Sequence, residues 1–183
     1  MKGFLEANPR LSDDVSQIDQ LLLRSAVGYQ LTPTTSLWQG YAWVTNYEPN
    51  YTQEHRLFQQ LIYSTKFSTF QLLSRSRLEE RWIQNTSGTA MRARTMLRVN
   101  FPLPTYPALA LVAYDEIFIH LNTIRQGPTA GFDQNRAFLG INYTLSPNFN
   151  IDAGYQLQLI NTALSGLANQ ANNMILLQFF INL

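Results

Sequence analysis

Along most of the chain, apolar side chains recur at every second position, the period of a β-strand and not of a helix. Between Thr69 and Trp82, the residues Gln71, Leu73, Arg75, Arg77, Glu79 and Arg81 alternate with Phe70, Leu72, Ser74, Ser76, Leu78, Glu80 and Trp82. Between Thr89 and Phe101, the residues Arg92, Arg94, Arg98 and Asn100 alternate with Met91, Ala93, Thr95, Leu97, Val99 and Phe101. The same reading predicts ten strands: Gly3–Leu11, Ile18–Leu31, Ser36–Tyr47, Glu54–Tyr63, Thr69–Trp82, Thr89–Phe101, Ala108–Leu121, Asp133–Leu145, Phe149–Ile160 and Asn173–Leu183. No long helix is predicted.

The connections alternate in length. Thr32–Thr35, Ser64–Ser68, Pro102–Pro107 and Ser146–Asn148 are short, and three of them carry the proline common in turns. Ser12–Gln17, Glu48–Gln53, Ile83–Gly88, Asn122–Phe132 and Asn161–Asn172 are longer or more polar. Short turns at one end and long loops at the other are the layout of an outer-membrane β-barrel. A soluble up-and-down barrel can share it. A weak internal repeat joins two of the hairpins. Tyr29 to Pro33 followed by Gly40-Tyr41 recurs, 114 residues on, as Tyr143 to Pro147 followed by Gly154-Tyr155.

The charged residues say which face looks where. One face collects Arg10, Arg24, Arg56, Arg75, Arg77, Arg81, Arg92, Arg94, Arg98 and Arg136, ten of the 11 arginines, with Arg125 left in a loop. Glu6, Glu54, Glu79, Glu116 and Asp152 share that face, so it carries a formal excess of five positive charges. In a soluble barrel this face meets water; in a membrane barrel it turns inward and the apolar face meets lipid. A soluble surface would accept lysine freely, yet Lys2 and Lys66 are the only two lysines. A confined lumen favours arginine, whose planar fork satisfies several acceptors at once. The balance therefore favours the lumen. Trp38, Tyr41, Trp43, Tyr63, Trp82 and Tyr106 fall near strand ends, where membrane-interface girdles form. Asp115 opposes this model from the lipid face, either by sitting near the outer interface or by a bulge that shifts the register.

Composition agrees with this choice. The 183 residues suit one domain, 1–183. Charged residues are 14%, against roughly 25% in an average soluble domain. A net charge of +1 gives no general pull toward nucleic acid, and the absence of cysteine excludes disulfides and thiolate sites. No apolar run is long enough for a transmembrane helix, which leaves a membrane β-barrel open. Met1-Lys2-Gly3 leads straight into a strand with no apolar signal segment. The chain is thus expected to be cytosolic or a mature or trimmed form. At the other end Ile175, Leu177, Phe179, Ile181 and Leu183 alternate with Leu176, Gln178, Phe180 and Asn182, similar to the terminal strand signal of bacterial outer-membrane proteins.

Several motifs occur together: Glu54-His55-Arg56-Leu57, Arg75 to Arg81, Arg98 to Leu103, Asp115-Glu116-Ile117-Phe118, and Gln134-Asn135-Arg136 running on to Gly140 and Tyr143. Their order and spacing resemble a domain-of-unknown-function family of Gram-negative outer-membrane β-barrel proteins, over most of the chain from Phe4 to Leu183. In that family a signal peptide and an early Trp-containing strand precede the segment matching Phe4–Leu11. Their absence here points to a trimmed or engineered N-terminus. The resemblance implies a bacterial outer-membrane location and no reaction.

The residues themselves offer little for catalysis. His120-Leu121-Asn122-Thr123 lacks a matching serine elbow, and His55 faces away from Glu54 and Arg56. His55 and His120 lie on non-adjacent strands, so no metal pair is expected. Gln126 to Gly131 leads into no helix and matches no phosphate loop, reading instead as a flexible extracellular loop. The expected fold is therefore an all-β, antiparallel up-and-down transmembrane barrel of about ten strands. Its narrow lumen is lined by Arg24, Arg56, Arg75, Arg77, Glu79, Arg81, Arg92, Arg94, Arg98, Glu116, Arg136 and Asp152. It would serve as a small pore or structural membrane protein, monomeric, in a lipid bilayer or detergent, passing small ions or solutes, with no nucleic-acid partner, cofactor or enzymatic activity. The alternative is a soluble lipocalin-like β-barrel binding a small apolar ligand.

Overall fold

The computed structural model describes residues 1–12, 17–47, 50–146, 148–162 and 169–181. Ten strands account for most of them: β1 (Lys2–Ser12), β2 (Gln17–Gln30), β3 (Thr35–Asn46), β4 (Thr52–Lys66), β5 (Gln71–Ile83), β6 (Ala90–Leu103), β7 (Tyr106–His120), β8 (Gly131–Ser146), β9 (Phe149–Ile160) and β10 (Gln170–Ile181). They form one sheet in sequence order, each strand beside its chain neighbours. The ladders β1–β2, β2–β3, β8–β9 and β9–β10 are antiparallel. That up-and-down order follows from the short connections, since adjacent antiparallel strands need only a few residues between them.

The turn after β2 closes on itself. Leu31 and Thr32 donate their N–H to Thr35 O at 2.9 and 3.1 Å, and Thr32 Oγ1 accepts from Thr35 N at 3.0 Å. The expected turn at Pro102–Pro107 is shorter than its prolines suggest. β6 runs through Pro102 to Leu103 and β7 starts at Tyr106, because proline's fixed φ suits a strand end where no ladder N–H is needed. In β1 the register shifts between Arg10 and Leu11, one residue after Pro9, which has no N–H for the ladder. The long connection after β7, expected to be flexible, is tied down. Ile124 N donates to Pro128 O at 3.0 Å, Ala130 N to Thr123 Oγ1 at 2.9 Å, and Ser87 N, from the loop after β5, to Arg125 O at 3.1 Å. The end of the C-terminal signal, Asn182 and Leu183, lies outside the described residues, as do parts of the connections after β1, β3, β8 and β9.

Alternation sorts the strands into a buried and an exposed face. Buried positions include Leu22, Arg24 and Ala26 on β2, Glu54, Phe58 and Gln60 on β4, Arg77, Glu79 and Arg81 on β5, and Arg92, Arg94 and Met96 on β6. Val112, Glu116 and Phe118 on β7 and Asp152, Gln156 and Gln158 on β9 continue the pattern. Between them stand exposed Leu23, Val27, Leu57, Leu61, Leu78, Leu97, Leu111, Ile117, Ile119, Leu139, Ile141 and Leu159. Asp115 keeps its place on the exposed face, and the burial alternation continues unbroken on either side of it. Both its carboxylate oxygens accept from Asn135 Nδ2 at 2.9 Å.

Two compact units divide the chain. The first comprises Met1–Leu61, Arg77–Ala93 and His120–Gly131; the second comprises Ile62–Ser76, Arg94–Ile119 and Phe132–Leu183. Each carries its own set of buried charges.

Candidate functional site

Strand geometry brings the charges together in two ways. Residues i and i+2 share a face, and adjacent strands lie about 4.8 Å apart, well within an arginine's reach. In the first unit, Glu54 uses both. Arg56, two residues on, donates from Nε to Glu54 Oε1 at 2.6 Å and from Nη2 to Oε2 at 2.9 Å. Arg81, on β5, donates to the same two oxygens at 2.5 and 3.1 Å. Glu79 repeats the arrangement. Arg92 on β6 donates to its Oε2 from Nε at 2.9 Å and Nη2 at 2.6 Å, while Arg77 Nη1 lies 3.5 Å from Oε1. Arg77 also donates to Gln60 Oε1 from Nε at 2.9 Å and from Nη2. Arg24 pairs with Glu6 at 3.3 Å.

In the second unit, Glu116 on β7 takes Arg94 from β6, at 3.0 Å from Nε and 2.8 Å from Nη2, and Arg75 from β5, at 2.9 Å from Nη2. Asp152 on β9 accepts from Arg98 Nη1 at 2.5 Å, Arg98 Nη2 at 3.2 Å and Asn142 Nδ2 at 2.7 Å. Arg98 stands on β6, three strands from β9. A flat sheet would hold those strands about 14 Å apart, so the second unit's sheet curls around its buried face. Tyr114 on β7, donating to Gln156 Oε1 on β9 at 2.8 Å, spans the same curl. Arg136 donates to Gln134 Oε1 at 3.2 Å.

Aromatic rings complete this face, which the sequence reading described by its charges alone. The guanidinium of Arg77 lies 4.3 Å from the Phe58 ring centroid, and Arg94 and Arg136 lie 4.4 and 4.7 Å from that of Phe118. Planar cations on ring faces combine apolar contact with attraction to the ring quadrupole. Phe138 stacks on Tyr114 at 4.8 Å. Phe58, Phe118 and Phe138 share parity with the charged residues of their own strands, and that parity was the signal available for them. Trp38, expected in an interfacial girdle, also belongs here. It shares parity with buried Ala42 and Val44, packs against the backbone of Gly28 and the ring of Phe4, and donates from Nε1 to Ser36 Oγ at 2.9 Å. Tyr41, Tyr63, Trp82 and Tyr106 stay exposed.

In each unit the sequence-predicted residues therefore lie on a buried or half-buried face, joined to carboxylates or amides. His55 lies on the opposite, exposed face, with its Nδ1 2.5 Å from Tyr41 Oη. Among the described residues, no group of three or more His, Cys, Asp or Glu is placed to hold a metal ion.

Comparison with known proteins gives relatives of unknown role. A family described as "Protein of unknown function (DUF2490)" matches residues 1–166. An uncharacterized protein of Methylorubrum extorquens is 34% identical over 182 residues, covering 97% of this chain and 79% of its own. Among solved structures, a chain described under "Unveiling the Mechanism Behind the in-meso Crystallization of Membrane Proteins" has a TM-score of 0.46 at 11% identity, covering 97% of this chain and 80% of that one.

Proposed function

The chain belongs to the DUF2490 family, and from that premise we propose that it is an integral β-barrel of the bacterial outer membrane. In this reading residues 1–183 form one monomeric barrel domain. Its narrow polar lumen is lined by the arginine–carboxylate face, and it acts as a small pore or structural membrane protein without a catalytic role or cofactor.

The observation that carries this reading is an inversion of the usual burial pattern. Nine-tenths or more of Arg24, Glu54, Arg77, Glu79, Arg81, Arg92, Arg94, Glu116 and Asp152 is buried, while Leu5, Val27, Leu97, Leu139, Ile175 and Phe179 are each about half or more exposed. Soluble proteins rarely leave long apolar surfaces open to water or bury charges in such numbers. Lipid reverses both preferences: apolar groups face the hydrocarbon and polar groups face the lumen. The curl of the second unit's sheet, read from Arg98 and Asp152, supports closure into a barrel. A soluble lipocalin-like cup would need the opposite arrangement, with the apolar face inside.

The test is purification with and without detergent, followed by gel mobility. The barrel should fold in micelles and migrate faster unheated than boiled. A stable monomer in plain buffer, with its apolar face protected from water, would overturn the proposal.

A further inference from the structure

On the exposed face of β7 the charged side chain is Asp115, and its own row is apolar in both directions. Exposed Leu111 and half-buried Ala113 precede it, and exposed Ile117 and Ile119 follow it. Its two oxygens accept from a single nitrogen, Asn135 Nδ2 of β8, at 2.9 Å, and that nitrogen also reaches Glu116 O at 3.4 Å. A neutral amide N–H satisfies a carboxylate only in part and cancels none of its charge. The arginines of β6 to β9 are Arg92, Arg94, Arg98 and Arg136, all on the buried or half-buried face, and these strands hold no lysine. They therefore set no cation beside Asp115 on the exposed face. An ionised side chain turned toward hydrocarbon is costly and marks a place where a partner is needed.

The geometry restricts what that partner is. The patch presents acceptors, the remaining lone pairs of Asp115 and the amide oxygen of Asn135, so the occupant brings N–H donors and positive charge. A second copy meeting the same patch would set carboxylate against carboxylate. The occupant also carries apolar surface on both sides of its cation, to match Leu111 on one side and Ile117 and Ile119 on the other. A lipid headgroup has hydrocarbon on one side and water on the other, whereas a membrane-spanning protein segment with one basic residue among apolar ones has hydrocarbon on both. Ala113 and Ala137 stand beside Asp115 and Asn135 on the same face. Such small side chains let a second backbone approach closely, as they do where membrane-spanning segments pack together.

We propose, resting on the barrel reading above, that the outer face of β7 and β8 around Asp115 docks a transmembrane segment of another membrane protein, through a lysine or arginine that pairs with Asp115 and Asn135. The pairing replaces a carboxylate facing hydrocarbon by an ion pair between two proteins, so the affinity comes from what each charge would otherwise lack.

The experiment uses the full chain, refolded into phosphatidylcholine vesicles and passed by the unheated-against-boiled gel shift. The probe is a synthetic transmembrane peptide of about 20 leucines and alanines with one lysine at its centre, carrying a dye that accepts energy from the protein's tryptophans; the control peptide has glutamine in place of the lysine. The expected result is association of the lysine peptide at least about fivefold tighter than that of the glutamine peptide. Asp115→Asn, which keeps the shape and removes the charge, should abolish that preference while leaving the gel shift intact. Should Asp115→Asn not fold, Asp115→Ala takes its place. Equal binding of the two peptides, or a preference that survives the loss of Asp115, overturns the proposal. So does a preference that disappears when phosphatidylethanolamine is added to the vesicles, because a lipid amine then fills the site. Failure of the native protein to show the gel shift would count against the barrel reading, not against the docking face.

Discussion

At the scale of single residues, the buried face depends on close approach as much as on charge. A Cβ on Gly40 would stand 2.2 Å from Phe58 Cζ and 2.6 Å from Ser25 O. Phe58 cannot easily withdraw, because Arg77 covers its ring, and Ser25 O belongs to the neighbouring β2 backbone. Gly154 is equally tight, with Leu139 O at 2.4 Å and Phe138 Cζ at 2.8 Å from the added atom. The 114-residue repeat seen in the sequence thus has a packing counterpart: Ala26 pairs with Gly40 under one inward ring, and Gly140 with Gly154 under another. Gly40→Ala and Gly154→Ala should each cost about 1–3 kcal/mol by overpacking, measured as a lower urea midpoint of the detergent-folded protein. Gly3→Ala, whose new atom meets only Ala26 O at 3.7 Å, should leave the midpoint unchanged.

At the scale of elements, β4 and β5 are joined by buried charges as well as by their place side by side in the sheet. Glu54 accepts four hydrogen bonds from Arg56 and Arg81. Glu54→Gln would leave two guanidiniums facing one neutral amide, and removing one partner of a buried pair costs about 3–5 kcal/mol. The expected outcome is early loss of the fast-migrating folded band on a temperature series, and partial recovery when Arg81→Gln is added, since that removes the surplus charge. If the double variant melts below the single one, charge balance is not what holds these strands. The alternation that places these residues was legible from the sequence: ten strands were expected and ten are present among the described residues, with ends differing by a few residues. The pairing partners were legible in part. Glu54, Glu79 and Glu116 were placed on the arginine face from the sequence, whereas the reach of Arg98 to Asp152 depends on a curl that no single strand encodes.

At the scale of the whole molecule, the proposal turns on what the exposed apolar face meets. Thr95 and Leu97 are exposed on β6, opposite in sense to buried Arg94 and Met96, and Val99 continues their row. If that row meets hydrocarbon, arginine there should cost about 2–4 kcal/mol near the bilayer midplane and less toward either interface. Thr95→Arg, Leu97→Arg and Val99→Arg should therefore show a depth-dependent loss of folding yield in lipid vesicles, with at least one severe. Equal tolerance at all three positions would mean that this face does not contact lipid. Asp115 is the exception on this face: it stands within β7, five residues from its end, with its carboxylate hydrogen-bonded by Asn135.

The sequence by itself determined the strands, their order of connection lengths and the membership of each face. Those properties are local, because a period of two is written into every strand independently of its neighbours. It also determined that arginine and carboxylate would share one face. The tertiary structure decided which arginine holds which carboxylate, and that Phe58, Phe118, Phe138 and Trp38 stand among the charges and not on the apolar side. Residue type misled at Trp38, expected in a girdle, because an aromatic ring suits lipid and a guanidinium equally well. Contacts between strands two or three apart depend on how strongly the sheet curls, and that curl is a property of many strands packed together.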